Sequence, residues 1–186
     1  CDNRNRGILR QNVDEAALLW RSVRETAGPV LEIGRRHAGS TVLLAAAAHG
    51  RPLTSVDLYP EHHPLAEAWL KGPGARDRVA LITGDSHEPI PGGRFGFALI
   101  DGNHLYEGVR DDVRAHWPAL RAHEGRPPLV AFHDAVPNPG LAHRQAPNHA
   151  EGVRRICEAL VRCGAAERVA TAGSMLILRK SGDLPP

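Results

Sequence analysis

The chain has 186 residues, 42% of them hydrophobic and 24% charged, a composition typical of one globular domain with an apolar core. Its 23 basic and 21 acidic residues leave a formal net charge of +2 without a long run of one sign, which argues against nucleic acid and membrane surfaces as partners. The sequence has no apolar stretch near the roughly 20 residues of a membrane span and no signal-peptide pattern, and three scattered cysteines without a C-x-x-C pair predict buried free thiols in the cytoplasm.

Predicted helices and strands alternate along the chain. Residues 11–25 place Val13, Ala17, Trp20 and Val23 at helical spacing, which predicts an amphipathic first helix. Further patterns predict strands over 30–33, 53–57, 78–83, 95–100 and 129–133, helices over 41–48, 65–70, 107–123 and 150–162, and a closing hairpin over 167–170 and 174–179. Short strands that alternate with helices are typical of an α/β fold with a mostly parallel sheet, and we expect residues 1–186 to form a single domain.

Two segments, 60–76 and 137–149, show little periodicity. Both follow the carboxyl ends of predicted strands, where open α/β sheets bind their ligands. We therefore expect these two segments to act as lids over a binding site.

A glycine-bearing turn follows the first predicted strand. The strand ends at Glu32, Gly34 permits a tight turn, and Gly39 lets the backbone approach a ligand where the next helix begins. The pattern E-x-G-x-x-x-x-G differs from the G-x-G-x-x-G of dinucleotide-binding folds, and its carboxylate suits a cationic ligand. A tight strand–helix turn whose glycines serve only the backbone explains the same residues equally well.

Acidic and small polar residues end the next two strands. Asp57 closes the second strand, where a carboxylate can accept hydrogen bonds from both hydroxyls of a ribose. Asp85 and Ser86 follow the third strand, where an adenine edge could be recognised. Helix capping is the competing interpretation for each of these residues.

The fourth and fifth strands end in a group of carboxylates and imidazoles. Asp101 follows one strand with His104 one turn beyond it, and the neighbouring strand ends in His133 and Asp134. Two carboxylates and an imidazole can hold a divalent cation, and His104 remains as a general base. The alternative interpretation, in which the aspartates cap helices and the histidines are surface residues, requires four such residues to converge by chance.

Taken together, these motifs resemble the class I S-adenosylmethionine-dependent methyltransferases. The resemblance covers residues 7–179 and rests on an ordered set of motifs, which reads VLEIGRRHAGSTVLLA, TSVDLYP, LITGDSHE, FALIDGNHLYEGVRDDV, LVAFHDAV and GVRRICEAL. The last three are most similar to the small O-methyltransferases that include the macrocin and mycinamicin sugar methyltransferases and the cephalosporin-hydroxylase-like proteins. The resemblance implies a Rossmann-like three-layer sandwich with a mostly parallel seven-stranded sheet and an antiparallel last strand.

The resemblance also implies roles for individual residues. It places the cofactor S-adenosylmethionine against Glu32, Gly34, Gly39, Ser40, Asp57, Asp85, Ser86 and Asp101. Asp101 and Asp134 would be magnesium ligands, His133 stands where the sugar methyltransferases carry a glutamate, and His104 matches the catalytic base. Because an imidazole is a softer ligand than a carboxylate, manganese or another transition metal could replace magnesium.

The resulting hypothesis is a metal-assisted O-methyltransferase of a small hydroxylated acceptor: a sugar, diol or catechol in natural-product or glycan tailoring. One alternative is a binding or scaffold module that has lost its chemistry. A nicotinamide-dependent oxidoreductase is disfavoured, because Arg36 stands where a second glycine is needed, and N-methylation lacks its Asn-Pro-Pro-Tyr type motif. The first helix, with Leu18, Leu19 and Trp20, could pack on a second subunit.

Overall fold

The computed structural model describes residues 9–71, 76–137 and 150–185. The strands in these ranges are β1 (Val30–Ile33), β2 (Leu53–Asp57), β3 (Val79–Thr83), β4 (Phe97–Ile100), β5 (Leu129–Phe132), β6 (Ala166–Ala172) and β7 (Met175–Lys180). The α-helices are α1 (Val13–Glu25), α2 (Gly39–Ala48), α3 (His63–Trp69), α4 (Tyr106–His116) and α5 (Glu151–Arg162), and short 3-10 turns cover Pro60–His62 and Trp117–Ala119.

The strands form one seven-stranded sheet in the order β3-β2-β1-β4-β5-β7-β6. Strands β1 to β5 pair in parallel, and β7 runs antiparallel to both β5 and β6. The predicted α/β fold with its reversed last strand is confirmed. Because the chain turns to one side after β1 and to the other after β4, a crevice opens between their carboxyl ends, where sheets of this type bind ligands.

The core consists of two apolar layers, one on each face of the sheet. Successive side chains of a strand point to opposite faces, so in β1 Leu31 and Ile33 join one layer and Val30 joins the other. Helices α4 and α5 cover the first layer, and α1 and α2 cover the second. All residues of β1, β4 and β5 are buried because these strands have neighbours on both edges and helices on both faces.

One helix was predicted to be longer than it is in the structure. The sequence pattern predicts a helix over 107–123, whereas α4 ends at His116 and a 3-10 turn follows. Pro118 explains the difference, because proline lacks the N–H that continues a helix and its ring clashes with the preceding turn. The other predicted elements are present, with ends that agree to within two residues.

Helix α1 turns a different face to the core than its sequence pattern predicts. Val13 and Trp20 are 84% and 41% exposed, and the buried face holds Leu18, Leu19 and Val23 together with two polar residues, Glu15 and Ser22. The prediction followed apolar spacing alone and so missed polar residues that have buried partners. Since Leu18 and Leu19 pack inside the chain, only Trp20 of the three proposed contact residues remains available to a second subunit.

The predicted lid segments and cysteines agree with the structure only in part. Residues 60–69 form a 3-10 turn followed by α3, so the first predicted lid is largely helical, and 138–149 of the second predicted lid lie outside the described residues. Cys157 is buried as expected, but Cys163 is exposed. In the described part of the chain, no helix has both the length and the apolar character required to cross a membrane.

Candidate active site

The carboxyl ends of the central strands bring the predicted site residues together. The Asp101 N–H donates to the carbonyl of Ile33 at 2.9 Å, and the His133 N–H donates to the carbonyl of Ile100 at 3.2 Å. The residues that follow β1, β4 and β5 therefore lie side by side. They line the crevice that the sheet topology predicts for a ligand.

The turn after β1 passes very close to the residue after β4. Gly34 has φ +84°, and a side chain on it would place its Cβ 2.2 Å from the carbonyl oxygen of Asp101. Arg36 and Ala38 also have positive φ, at 44° and 65°. Gly39 is the first residue of α2, as the sequence analysis places it, and has no positive φ; its approach to a ligand stays a prediction. Close approach is thus required at Gly34, and the left-handed residue before α2 is an alanine.

Glu32 lies beneath this turn and is fully buried. Its carboxylate accepts hydrogen bonds from the hydroxyls of Ser40, Thr41 and Ser55, at 2.5, 2.6 and 2.5 Å. Burial raises the pKa of Glu32, although the hydrogen bonds from these hydroxyls lower it. The nearby charge of Asp101 raises this pKa further. Glu32 and Ser40 therefore tie β1 to α2 and β2, and their predicted contacts with a cofactor stay predictions.

Asp57 binds the backbone of the turn. One carboxylate oxygen accepts hydrogen bonds from the N–H groups of Arg35 and Arg36, at 2.9 and 2.8 Å. The other accepts from the N–H of Tyr59 at 2.9 Å and lies 3.0 Å from Nδ1 of His62. Burial would raise the pKa of Asp57, but these hydrogen bonds hold it below its ordinary value. A ribose hydroxyl would have to displace one of these donors, of which the His62 side chain is the most easily moved.

The segment after β3 is held by α4. Asp85 is exposed and accepts from the N–H of His87 at 3.0 Å, whereas the Ser86 hydroxyl points inward and donates to Asp112 at 2.6 Å. The carbonyl of Ser86 lies 2.7 Å from Nε2 of His116. Burial raises the pKa of Asp112 to about 6, even though the Ser86 hydrogen bond opposes the shift. The two α4 residues therefore fix the position predicted to flank an adenine.

Asp101, His104, His133 and Asp134 form one cluster at the ends of β4 and β5. Nε2 of His104 lies 3.4 Å from Oδ1 of Asp101 and 3.8 Å from Oδ2 of Asp134. Nδ1 of His133 lies 3.3 Å from the same two oxygens. The structure thus brings together all four residues that the sequence analysis grouped.

Charges balance within this cluster. Burial alone would lower the pKa of His133, but Asp101, Asp134 and Glu15 raise it well above the ordinary value of an imidazole. Burial likewise opposes ionisation of Asp101, yet His133 and His104 hold its pKa below its ordinary value. The carboxylates around His133 therefore favour the protonated form of its imidazole.

The cluster fits a divalent cation. Asp101, His104 and Asp134 each present one ligand atom, and these atoms lie within 4.8 Å of one another. Nδ1 of His133 is a second nitrogen beside the same two carboxylates. The buried Nε2 of His133 lies 3.6 Å from Glu15 and has no hydrogen-bond partner in the described ranges. Two carboxylate oxygens with an imidazole suit manganese or another transition metal better than magnesium, which prefers oxygen ligands.

Four residues that sequence reasoning missed contribute to the crevice: Gln11, Glu15, Asp112 and His116. The signal for two of them was helical spacing, because Glu15 falls on the face of Leu18 and Leu19, and Asp112 on that of Val109 and Val113. A polar residue on an otherwise apolar face requires a buried partner. Gln11 precedes α1 and carries no such signal.

Comparisons with known proteins agree with this architecture. A methyltransferase-domain family model matches residues 31–135, more than half of the 186-residue chain, whereas a search of curated proteins finds no match. A Staphylococcus aureus protein assigned as a caffeoyl-CoA O-methyltransferase is 14% identical with a TM-score of 0.76, and the match covers 97% of this chain and 88% of that one.

Two further solved structures share the fold. The O-methyltransferase TomG of Streptomyces achromogenes, involved in tomaymycin synthesis and solved with S-adenosylmethionine, is 19% identical with a TM-score of 0.68, over 92% of this chain and 82% of its own. The glycopeptide N-methyltransferase MtfA, solved with sinefungin, is 16% identical with a TM-score of 0.62, over 98% of this chain and 91% of its own.

The strand order, the reversed β7 and the crevice after β1 and β4 define a Rossmann-like methyltransferase fold. The family match makes the assignment specific: the chain belongs to the methyltransferase-domain family. The predicted class of enzyme is thereby confirmed.

Proposed function

We propose that the protein is an S-adenosylmethionine-dependent O-methyltransferase that acts on a small hydroxylated molecule with the help of a divalent cation. The observation that carries the proposal is the convergence of Asp101, His104 and Asp134 beside the Gly34 turn. A nucleoside site alone would need no imidazole between two carboxylates. The solved relatives TomG and MtfA bind S-adenosylmethionine or sinefungin on the same fold, which supports the choice of cofactor.

The reaction places two requirements on this chain. Methyl transfer is an in-line displacement at the sulfonium carbon, so the crevice must align the acceptor oxygen with the methyl group, and alignment can contribute about 7–11 kcal/mol. The acceptor hydroxyl must also lose its proton. Nε2 of His104, partly exposed at the crevice, is the atom we assign to take that proton, a contribution of order 10²–10⁴-fold.

A bound cation would add one chemical effect: it would lower the pKa of an acceptor hydroxyl beside it. Asp101 and Asp134 would hold it, with His104 or His133 as the nitrogen ligand. If His104 is the ligand, it cannot also take the proton. Variants of the two histidines therefore separate the two roles.

The acceptor class and the setting rest on the sequence resemblance. We propose a sugar, diol or catechol as the acceptor, natural-product or glycan tailoring as the pathway, and the cytoplasm as the location. The specific relationship with the sugar O-methyltransferases belongs to the same proposal, as does a homo-oligomer that uses the exposed Trp20 of α1. An N-methyltransferase such as MtfA has the same fold, so the choice of oxygen rests on the acidic cluster.

Calorimetric titration with S-adenosylhomocysteine, with and without magnesium, is the primary test. We expect wild-type protein to bind and Asp57→Ala to lose affinity, because Asp57 holds the Gly34 turn and faces the proposed ribose position. Absence of binding by wild-type protein under both conditions would contradict the proposal. It would favour a scaffold without cofactor.

Turnover assays address the chemistry. His104→Ala should lower kcat by at least a hundredfold, whereas His49→Asn should not change it, because His49 is exposed at the far end of α2. Asparagine suits this control because it tolerates the left-handed backbone of His49. Full turnover by His104→Ala would rule out the base, and unchanged turnover after treatment with a chelator would rule out the cation.

A further inference from the structure

The side chain of Gln11 lies in the crevice. Contacts within the fold account for only one of its two polar atoms. It is 5% exposed, and Nε2 donates to Oδ2 of Asp101 at 3.2 Å. The other amide atom, Oε1, is buried and has no hydrogen-bond partner in the part of the chain that the structure describes. A buried amide oxygen without a partner is costly and points to a missing donor.

The orientation of this amide is determined by its neighbour. A carboxylate can only accept, so the nitrogen of Gln11 faces Asp101 and the oxygen is left as an acceptor. Both atoms are bonded to one carbon, so Oε1 lies close to the Asp101 carboxylate. The opposite oxygen of Asp101 faces His104 and His133.

The surrounding charge defines the chemistry of the donor. Oε1 is an acceptor next to the Asp101 carboxylate, which accepts from the other end of the same amide. A ligand group that meets both of these oxygens must donate hydrogen bonds, and a positive charge strengthens its hydrogen bond to the carboxylate. In S-adenosylmethionine the sulfonium is positive but has no N–H, whereas the α-ammonium has three N–H groups.

On the basis of the proposed function, we propose that Gln11 binds the α-ammonium group of the cofactor through Oε1. Asp101 shares this ammonium and, through its hydrogen bond with Nε2, holds the Gln11 amide in the required orientation. Gln11 is then a cofactor-binding residue contributed by the segment before α1, and it recognises the amino-acid end of the cofactor. It makes no contact with the nucleoside end.

The test uses two ligands that differ only at that end. S-adenosylhomocysteine carries the amino-acid group, and 5′-methylthioadenosine lacks it but keeps the nucleoside and the thioether. Calorimetry of wild type and Gln11→Met gives the ratio of the two dissociation constants for each protein. We expect Gln11→Met to bind S-adenosylhomocysteine about tenfold more weakly and 5′-methylthioadenosine within twofold of wild type.

Asp57→Ala is the matched control, since a ribose contact should weaken both ligands equally. If Gln11→Met does not fold, Gln11→Ala removes the amide without placing an apolar group beside Asp101, and it must change the ratio in the same direction. Equal weakening of both ligands, or of neither, overturns the assignment of Gln11.

Two other results also overturn it, and they are distinguishable. If Gln11→Met loses affinity for Mn²⁺ alone while S-adenosylhomocysteine binds as before, Oε1 is a metal ligand and the ammonium assignment is wrong. If wild-type protein binds neither nucleoside, the proposed function itself fails, and the assignment of Gln11 fails with it.

Discussion

Asp112 shows how one buried carboxyl can support a binding loop. It is fully buried on α4 and accepts the Ser86 hydroxyl, while its second oxygen has no hydrogen-bond partner among the described residues. Burial raises its pKa to about 6, so the folded protein holds this proton more tightly than the unfolded chain does. Asp112 therefore reduces stability where it is ionised, that is, as the pH rises from about 4 to about 6.

We predict that Asp112→Asn removes this pH dependence. Asparagine keeps an oxygen for the Ser86 hydroxyl and carries no charge at any pH. Relative to wild type, the variant should gain about 2.5 kcal/mol of unfolding free energy between pH 4 and pH 7, because the pKa rises from 3.8 to about 6. Urea unfolding at the two pH values measures the gain, and an equal difference from wild type at both would contradict the prediction.

Gly34 is the residue on which the crevice most depends. We predict that Gly34→Ala prevents S-adenosylhomocysteine binding and destabilises the fold by more than about 3 kcal/mol, because the new Cβ would lie 2.2 Å from the carbonyl oxygen of Asp101. Gly50→Ala is the matched control: Gly50 has φ +93° but open space around it, so only backbone strain of about 1–2 kcal/mol is expected. Urea unfolding compares the two, and similar losses would show that the contact with Asp101 is unimportant.

Beside its apolar contacts, helix α1 has one buried polar connection to the sheet, through Glu15. The Glu15 carboxylate accepts from the N–H of Asn12 at 2.8 Å in a capping box, and from the N–H and hydroxyl of Ser174 at 2.7 and 2.9 Å. Burial would raise the pKa of Glu15, but His133 and these backbone donors lower it to about 2. One side chain thus joins the start of α1, the β6–β7 turn and the acidic cluster.

Replacing Glu15 by glutamine should destabilise the protein by about 3 kcal/mol at pH 7, given the shift of its pKa from 4.5 to about 2. This stability is present above about pH 4.5 and is lost as the pH falls towards 2, because the folded form must then take up a proton that the unfolded chain binds more readily. Asp14→Asn, on the exposed side of the same turn, is the control and should cost less than about 0.5 kcal/mol. Denaturant unfolding of the two variants at pH 7 measures both losses of stability, and equal losses would contradict the role of Glu15.

Helix α5 positions His104 through its backbone. Gly152, in the first turn of α5, packs against the turn before α4: a Cβ there would lie 2.3 Å from the carbonyl oxygen of His104 and 2.5 Å from the nitrogen of Tyr106. This close packing sets where the imidazole of His104 projects. The helix therefore influences the chemistry without supplying a side chain to it.

A methyl group at this contact should disturb catalysis more than cofactor binding. We predict that Gly152→Ala lowers kcat at least tenfold and leaves the dissociation constant of S-adenosylhomocysteine within threefold, because the displaced turn carries His104 and not the Gly34 loop. Gly164→Ala, just beyond the other end of α5 and with no atom within 4 Å of its Cβ position, is the control and should keep normal kcat. Equal kcat for both variants would disprove the positioning role.

The sheet as a whole creates the crevice, because β1 and β4 are neighbours although α2, β2, α3 and β3 lie between them in the chain. Ligand binding should therefore stabilise the entire fold. We predict that S-adenosylhomocysteine at a hundred times its dissociation constant adds about 2.7 kcal/mol and raises Tm by about 5–11 °C. Asp57→Ala at the same ligand concentration should show little shift, and a wild-type Tm independent of ligand would contradict binding to the native state.

Much of this architecture could be predicted from local patterns. Strand β1 and the residues after it were predictable because a short apolar run is followed there by a turn that contains glycine. The end of α4 was also encoded locally, by Pro118, but helical spacing alone extended the helix past it. The face of α1 was not predictable from apolar spacing, since Glu15 is buried there through partners far away in the sequence.

The sequence by itself determined the succession of strands along the chain and placed Asp57, Asp101 and Asp134 at their carboxyl ends, because hydrophobic period and strand length are properties of neighbouring residues. Only the tertiary structure decided which side chains meet them. Gln11 reaches Asp101 across 90 residues of sequence, and Glu15 reaches Ser174 across 159. Such contacts depend on how the helices pack over the sheet, so local patterns could not predict the hydrogen bond that Asp101 accepts from Gln11 or the buried partners of Glu15.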